Sequence, residues 1–235
     1  MFFQTKKGRV KNVRKTFNDE LKKLHVRFAE LGMMVNEAVF HATNAFVNHD
    51  KKLAESVIEK DYVINGCEND LEKMTLELIA LYQPVTEDLR DVITILKASS
   101  DIERVGDHAV SICHATINMK GSLRIAEIEI EIAKMGEYTC QMFQNVLDAY
   151  MRKNEERALK IAKDDFFLDE ELRKIRKRCV TIMQGNPKVV ISGSYYNLVA
   201  TYLERIGDYV TNVCEWIVFL EKGEIVELNP NTKQY

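Results

Sequence analysis

The chain has 235 residues with a formal net charge of −3, and only 10 of them are glycine and 3 are proline. These two residues together make up about 12% of an average sequence, so their scarcity excludes collagen-like and loop-rich β architectures. A hydrophobic fraction of 46% beside 29% charged residues excludes a disordered chain. The acidic balance argues against nucleic acid as the main partner. The composition therefore predicts a globular protein built from long helices.

Cysteine usage and hydropathy indicate the compartment. The five cysteines include no Cys-x-x-Cys pair, which fits neither a disulfide framework nor a zinc knuckle and favours a reducing cytosol. The longest apolar run near the C-terminus, Trp216 to Leu220, is far shorter than the roughly 20 residues of a membrane span. We therefore expect a cytosolic protein without a transmembrane segment.

The start of the chain is strongly basic. Six basic residues precede the first acidic residue, Asp19: Lys6, Lys7, Arg9, Lys11, Arg14 and Lys15. One interpretation is a poorly ordered N-terminal extension over residues 1–12. The other is a segment that is attracted to an anionic surface.

Apolar spacing and chain breakers predict six long antiparallel helices. Apolar residues recur with the helical period between the breakers. The predicted helices cover 13–48, 51–83, 86–119, 124–151, 154–184 and 190–221. Asp50, Ser122 and Asn154 are the expected N-caps. The run from 125 to 132 alternates like a strand, but its position between long helical segments favours a helix.

The breakers also reveal a duplication. Pro84 and Pro187 lie 103 residues apart, and Gly121 and Gly223 lie 102 apart. Residues 46–57 align with 150–161 at an offset of 104, and the Glu-Arg-x-Gly-Asp motif at 103–107 recurs at 204–208. The sequence thus predicts an all-α fold of two tandem pseudo-symmetric three-helix bundles. The first covers residues 13–121, and the second covers 122–235 with a short C-terminal tail.

Each repeat is expected to gather oxygen-bearing side chains on one helix pair. The motif places Glu103 and Asp107 one turn apart on the third helix. An antiparallel hairpin about Pro84 brings Asp61 opposite Asp107 and Asn65 opposite Glu103. Oxygen ligands of this kind suit hard cations such as magnesium, manganese or iron.

The second repeat follows the same logic about Pro187. Its hairpin brings Asp165 opposite Asp208 and Asp169 opposite Glu204. The competing interpretation is a solvated acidic face, with Arg104 and Arg205 in weak surface salt bridges.

Residues in and near the two motifs are predicted to have structural roles. Glycine inside a helix costs about 1 kcal/mol, so Gly106 and Gly207 suggest a close approach of the partner helix. No histidine follows a Glu or Asp by three positions, which argues against a ferritin-like di-iron oxidase. His108 and His114 are expected to be surface or packing residues, and Cys113 and Cys214 to be core residues.

These residues carry a family resemblance. The runs at 83–90 and 101–109, the second copy at 203–212 and Asp61-Tyr62-Val63-Ile64-Asn65 resemble the PhoU family of phosphate-transport regulators. The resemblance implies two three-helix bundles, each with a metal cluster on paired acidic motifs. Carried over by position, the implied metal ligands are Asp61, Asn65, Glu103, Asp107, Asp165, Asp169, Glu204 and Asp208. Asn212 is implied to support them, and Asn65, which stands in place of an acid, implies a weaker first site.

The resemblance also implies a function. It points to a cytosolic regulator rather than an enzyme, with iron, zinc, manganese or magnesium on the clusters. The implied partners are the ATPase subunit of the phosphate ABC transporter, a two-component sensor histidine kinase and a second copy in a homodimer. Such a protein represses phosphate-starvation signalling and uptake when phosphate is plentiful, and reaches the inner face of the membrane through its partners. Two alternatives stay open: a metal-dependent hydrolase that uses the clusters, and a metal-free helical adaptor.

Overall fold

The structure is a computed structural model that describes the backbone of residues 6–228 and the side chains of residues 13–228. Its helices are α1 Lys6–Asn48, α2 Lys51–Tyr82, α3 Thr86–Asn118, α4 Ala126–Met151, α5 Glu155–Asp164, α6 Phe166–Gly185 and α7 Val190–Lys222. A 3₁₀ turn at Pro187–Val189 precedes α7. Residues 6–228 include no strand. The predicted all-α fold with six long helices is confirmed, and α5 is a short seventh helix.

Most helix ends follow their local residues. The Asp50 carboxylate accepts a hydrogen bond from the Leu53 backbone N at 3.0 Å, and the Asn154 side chain accepts one from Arg157 N at 2.9 Å. Both predicted N-caps are therefore confirmed. Ser122 is not the cap of α4, because it lies in the turn after α3, where its backbone N donates to Met119 O, and Ile125 holds the N-cap position. Helix α4 consequently begins only at Ala126.

Two helices differ from their predicted bounds by more than two residues or by an interruption. Helix α1 begins at Lys6 rather than at 13, so residues 6–12 of the basic extension continue this helix, and residues 1–5 lie outside the described residues. The helix expected over 154–184 is interrupted at Asp165, which separates α5 from α6. Asp165 itself keeps helical dihedral angles, φ −58° and ψ −32°. The backbone at the interruption therefore stays close to a helical conformation.

Four helices form the centre of the molecule. Helices α1 and α3 pack against each other, α3 packs on α7, α7 on α4, and α4 on α1. Helix α2 covers α1 and α3, while α5 and α6 cover α4 and α7. The first half is thus a three-helix bundle, the second is a bundle in which α5 and α6 together take the place of α2, and one continuous hydrophobic core runs through both. No helix within residues 6–228 is long and apolar enough to cross a membrane.

A pair of equivalent glycines shows the pseudo-twofold relation between the halves. A Cβ atom on Gly32 of α1 would lie 2.6 Å from Leu147 of α4. A Cβ atom on Gly136 of α4 would lie 2.2 Å from Thr43 of α1. The two glycines are 104 residues apart, as are Thr43 and Leu147. Both helices therefore need a glycine for the same close contact.

Candidate metal centres

The first acidic cluster lies between α2 and α3. Asn65 Nδ2 donates a hydrogen bond to Asp61 Oδ2 at 3.1 Å on α2. Burial raises the pKa of Asp61, the hydrogen bond from Asn65 opposes this shift, and the charge of Asp107 on α3 adds to it. The hairpin thus brings Asp61 and Asp107 within electrostatic range of each other.

Glu103 belongs to the same group. Burial raises its pKa, and the charges of Asp107, Glu68 and Asp61 raise it further, while Arg104 lowers it. Glu68 on α2 is a further carboxylate that sequence reasoning missed. It stands seven residues after Asp61, two helical turns along the same face, and this spacing is the signal that could have revealed it.

The donor set of this first cluster fits a hard cation. Asp61 Oδ1 and Asn65 Oδ1 are both buried and accept no hydrogen bond within the described residues. Burial of an oxygen without a hydrogen-bond donor is costly, and a bound cation supplies the missing positive charge. Carboxylate and amide oxygens are also the ligands that magnesium and calcium prefer.

The second cluster lies where the α5–α6 junction meets α7. Asp165 is only 4% exposed. Burial together with the charges of Asp208, Asp169 and Glu204 raises the pKa of Asp165 to about 8. Burial and the charges of Asp208 and Asp169 raise the pKa of Glu204 to about 7, against the opposing effect of Arg205 and Arg176. All four predicted carboxylates of this half are therefore brought together.

The two motif glycines differ in what they contact. A Cβ atom on Gly207 would stand 2.4 Å from Asp165 Oδ1 and 2.5 Å from Leu168 Cδ1. A Cβ atom on Gly106 would meet nothing closer than Ile64 Cγ2 at 3.4 Å, which is an ordinary van der Waals contact. The close approach that the sequence suggested therefore exists at Gly207 and not at Gly106. It lets the α5–α6 junction bring Asp165 against α7.

The described carboxylates of each cluster lie near one another but do not surround a single position. Within residues 13–228, no group of three or more His, Cys, Asp or Glu side chains is arranged to hold a metal ion. The same carboxylates nevertheless raise one another's pKa, so they are neighbours without being aimed at one position. Like charges repel, so ionised carboxylates converge only around a cation. A bound metal would therefore require the carboxylates of each cluster to rearrange around it.

Asn212 and Arg104 make contacts between α3 and α7. Asn212 Nδ2 donates to Asp101 Oδ1 at 3.3 Å, and Trp216 Nε1 donates to Asp101 Oδ2 at 2.9 Å. The amide of Asn212 is thus directed to α3 rather than to the second cluster. Arg104 lies over the Tyr209 ring, with Cζ 5.8 Å from the ring centroid.

His108 is a packing residue on this α3–α7 face. Its ring stacks on Tyr202 with a centroid separation of 5.5 Å. Burial, with a contribution from the charge of Arg205, lowers the pKa of His108 to about 4. His114, in contrast, is exposed. Cys113 and Cys214 are fully buried, so their predicted place in the core is confirmed.

A buried carboxylate that the sequence did not reveal joins the two halves. Asp91 of α3 is 5% exposed and accepts hydrogen bonds from His25 Nε2 at 3.3 Å and Lys153 Nζ at 2.9 Å. His25 Nδ1 in turn lies 2.9 Å from the Tyr150 hydroxyl. Burial opposes ionisation of Asp91, but the hydrogen bonds and charges of His25 and Lys153 outweigh it and lower its pKa.

A second buried carboxylate, on the first helix of the other half, is also contacted from across the molecule. Glu129 of α4 is 8% exposed and lies 2.9 Å from the Tyr196 hydroxyl, which donates to it. His49 Nε2 and Arg124 Nη1 also contact this carboxylate, each at 3.0 Å. His49 and Lys153 are 104 residues apart, and both have positive φ, 58° and 49°. Each interhelical turn therefore reaches across to a buried carboxylate group of the opposite half.

One protein-family model matches both halves of the chain. The model of the PhoU domain matches residues 28–116 and 132–217, one match in each bundle. The chain belongs to the PhoU family. The resemblance first seen in the motifs is thereby confirmed.

Similar proteins match over most of the chain. A phosphate-specific transport system accessory protein PhoU homolog from Clostridium acetobutylicum is 36% identical over 217 residues, covering 92% of this chain and 99% of the relative. The phosphate-specific transport system accessory protein PhoU from Escherichia coli K12 is 32% identical over 214 residues, covering 91% of this chain and 88% of the relative. These names describe accessory proteins of a phosphate-specific transport system.

Solved structures agree with the fold. The crystal structure of the phosphate transport system regulatory protein PhoU from Streptococcus pneumoniae has a TM-score of 0.83 and 33% identity, covering 90% of this chain and 99% of that chain. PhoU from Pseudomonas aeruginosa gives a TM-score of 0.84 and 30% identity, covering 88% and 100%. The arrangement of two helical bundles is therefore that of the family.

Proposed function

We propose that this PhoU-family protein is a cytoplasmic, non-enzymatic regulator of phosphate homeostasis that binds metal on its two acidic clusters. It couples the ATPase subunit of the phosphate ABC transporter to a two-component sensor histidine kinase. It represses phosphate-starvation signalling and uptake when phosphate is plentiful. The observation that carries the metal-binding part is the pair of carboxylate clusters at equivalent places, each between a motif helix and its hairpin partner.

The ions would occupy corresponding places in the two halves. The residues that would hold them are Asp61, Asn65, Glu103 and Asp107 in the first half, and Asp165, Asp169, Glu204 and Asp208 in the second. Iron, manganese and magnesium suit these oxygen ligands, and zinc accepts carboxylates as well. A bound cation offsets the mutual repulsion of the carboxylates and holds α2 to α3 and α6 to α7. The helix surfaces presented to partners are then fixed in position.

Metal content and repression are measured on the same variants. Protein purified without affinity metals or chelators is analysed for bound metal by mass spectrometry, and a phosphate-starvation reporter is followed in cells. We expect Glu204→Ala with Asp208→Ala to lose the metal of the second cluster and to derepress the reporter at high phosphate. The control changes Glu77 and Glu137 to alanine, two exposed carboxylates outside both clusters, and leaves metal and repression intact.

Other outcomes separate the alternatives. Full repression by a variant that holds no metal would remove the regulatory role of the metal and leave a helical adaptor. Steady phosphatase turnover that disappears with the two alanines would identify a two-metal hydrolase instead. The proposed homodimer is checked by sedimentation velocity on the full chain. Association with the ATPase subunit and the kinase is checked by co-purification of each.

A further inference from the structure

The basic segment, residues 6–15, extends the molecule at one end. Helix α1 begins at Lys6, whereas α2 ends at Tyr82 and α3 begins at Thr86. The ring of Phe17 lies against that of Tyr82, with centroids 5.7 Å apart, and Arg14 pairs with Asp88. The α2–α3 turn therefore stands beside residues 13–17 of α1. The helix continues for seven residues beyond Val13, which is about 10 Å at 1.5 Å per residue.

Charge is divided unevenly between this end and the rest of the molecule. The first 18 residues hold six basic residues and no acidic one. The other 217 residues hold the remaining 27 basic residues and all 36 acidic residues, a formal charge of −9. The PhoU-domain match begins only at residue 28, so the basic segment lies outside it. An anionic surface would attract this end and repel the body, which orients the molecule end-on.

Apolar side chains surround the base of the basic segment. A groove of about 360 Å³ is lined there mainly by Val13, Phe17, Tyr82, Pro84 and Val85. Leu81 and Val85, near the tip of the α2–α3 turn, are 74% and 67% exposed. Asp88 at the rim of the groove is paired with Arg14, so its charge is offset. This end therefore presents exposed apolar side chains at the base of a helical segment whose sequence is basic.

We propose that the basic segment and the adjoining α2–α3 turn form a docking surface for a membrane that contains anionic lipids. Lysine and arginine near such a membrane contribute about 1 kcal/mol each, and shallow insertion of apolar side chains adds to this attraction. The basic sequence of the segment and the exposed Leu81 and Val85 at its base match these two contributions to binding at an anionic lipid surface. The proposal is independent of the metal clusters.

Vesicle sedimentation with the full chain tests this surface. The probes are vesicles of phosphatidylcholine alone and vesicles that also contain about 30% phosphatidylglycerol, an anionic lipid. We expect binding to the anionic vesicles only, and weaker binding as salt rises, because salt screens exposed charges. Changing Lys6, Lys7, Arg9 and Lys11 to glutamine should weaken binding more than tenfold. Changing Leu81 and Val85 to serine should weaken it less.

A control with the same loss of charge makes the test specific. Lys52, Lys120, Lys134 and Lys177 are exposed lysines on other parts of the bundle, and their change to glutamine should leave vesicle binding within twofold. Circular dichroism melting checks that each variant is folded. Equal weakening by both sets of four substitutions would reduce the effect to net charge and overturn the proposal. So would a native chain that ignores anionic vesicles. In that case, loss of ATPase-subunit binding in the segment variant would assign the segment to a protein contact.

Discussion

Gly207 of α7 and Asp165 at the α5–α6 junction are in contact so close that a side chain on the glycine would collide with the carboxylate. A Cβ atom there would lie 2.4 Å from Asp165 Oδ1. Gly106, which holds the same motif position in the first half, leaves 3.4 Å to its nearest neighbour, Ile64. The two halves thus share a motif while differing in how tightly the hairpin partner closes on it.

This difference predicts opposite effects of one substitution at two equivalent sites. Gly207→Ala should lower the free energy of unfolding by about 2 kcal/mol, because the new methyl group forces Asp165 and Leu168 away from α7. Gly106→Ala should leave it unchanged or raise it by up to about 1 kcal/mol, since alanine is the better helix former and has room. Urea titration of both variants measures this. Equal losses at the two positions would contradict the contact described at Gly207.

The helix interruption beside Gly207 illustrates what could be read from the sequence and what could not. Proline and glycine positions predict the hairpins and the repeat, because those residues act locally. No breaker lies between Asn154 and Gly185, so the interruption at Asp165 has no local signal. The residue at the interruption packs against a glycine 42 residues away on another helix, and the local sequence does not show this contact. The hairpin register likewise predicts neighbours within one half but is silent on contacts between halves.

Some residues that make contacts between the halves are separated by the repeat offset. His49 and Lys153, which reach across the molecule, are separated by the repeat offset of 104. So are Gly32 and Gly136 at the α1–α4 contact. Extending the offset to every position would have singled out these pairs. It would not have revealed that His49 contacts Glu129 and Lys153 contacts Asp91, because partners in different halves share no fixed spacing.

Asp91 is expected to make the protein sensitive to acid. Its pKa is lowered from 3.8, so its ionised form stabilises the fold above that value, and this contribution disappears as pH falls through the lower folded pKa. Asp91→Asn should therefore lower the free energy of unfolding by about 2 kcal/mol at neutral pH. The difference in the free energy of unfolding between the native protein and the variant should narrow below about pH 4. Urea titrations of both proteins at several pH values from about 3 to about 7 measure this difference.

A surface carboxylate on the same helix is the control for Asp91. Asp88 pairs with Arg14, whose side chain is 58% exposed, so Asp88→Asn should cost less than about 1 kcal/mol. A gap between native and Asp91→Asn protein that stays constant down to pH 3 would show that the charge of Asp91 is not what stabilises the fold.

Glu129 should be far more important for stability than its neighbour Glu127. Glu129→Ala leaves the Tyr196 hydroxyl and the Arg124 guanidinium without their shared acceptor in a buried site, at a cost of about 3 kcal/mol. Glu127 is 77% exposed and pairs with Arg178, so Glu127→Ala should cost less than about 1 kcal/mol. Thermal melts followed by circular dichroism compare the two. Similar melting temperatures for both variants would contradict the inter-half role of Glu129.

Metal addition should distinguish ligand carboxylates from a merely acidic surface. A divalent ion at 100 times its dissociation constant stabilises the folded state by about 2.7 kcal/mol, which raises the melting temperature of a chain of this size by about 5–10 °C. We expect this shift with manganese, magnesium or anaerobic iron(II), whichever binds. In Glu204→Gln with Asp208→Asn, the share of the shift due to the second cluster should vanish.

The metal-free proteins carry the second half of this prediction. The two amides remove like charges that face the buried Asp165, so without metal the Glu204→Gln, Asp208→Asn variant should melt higher than the native chain. A metal site therefore predicts a reversal of order, with the native chain less stable without metal and more stable with it. Glu77→Gln with Glu137→Gln, the exposed control pair, should follow the native chain in both conditions. A solvated acidic face would show no reversal, because water already screens its charges and a dilute divalent ion adds little.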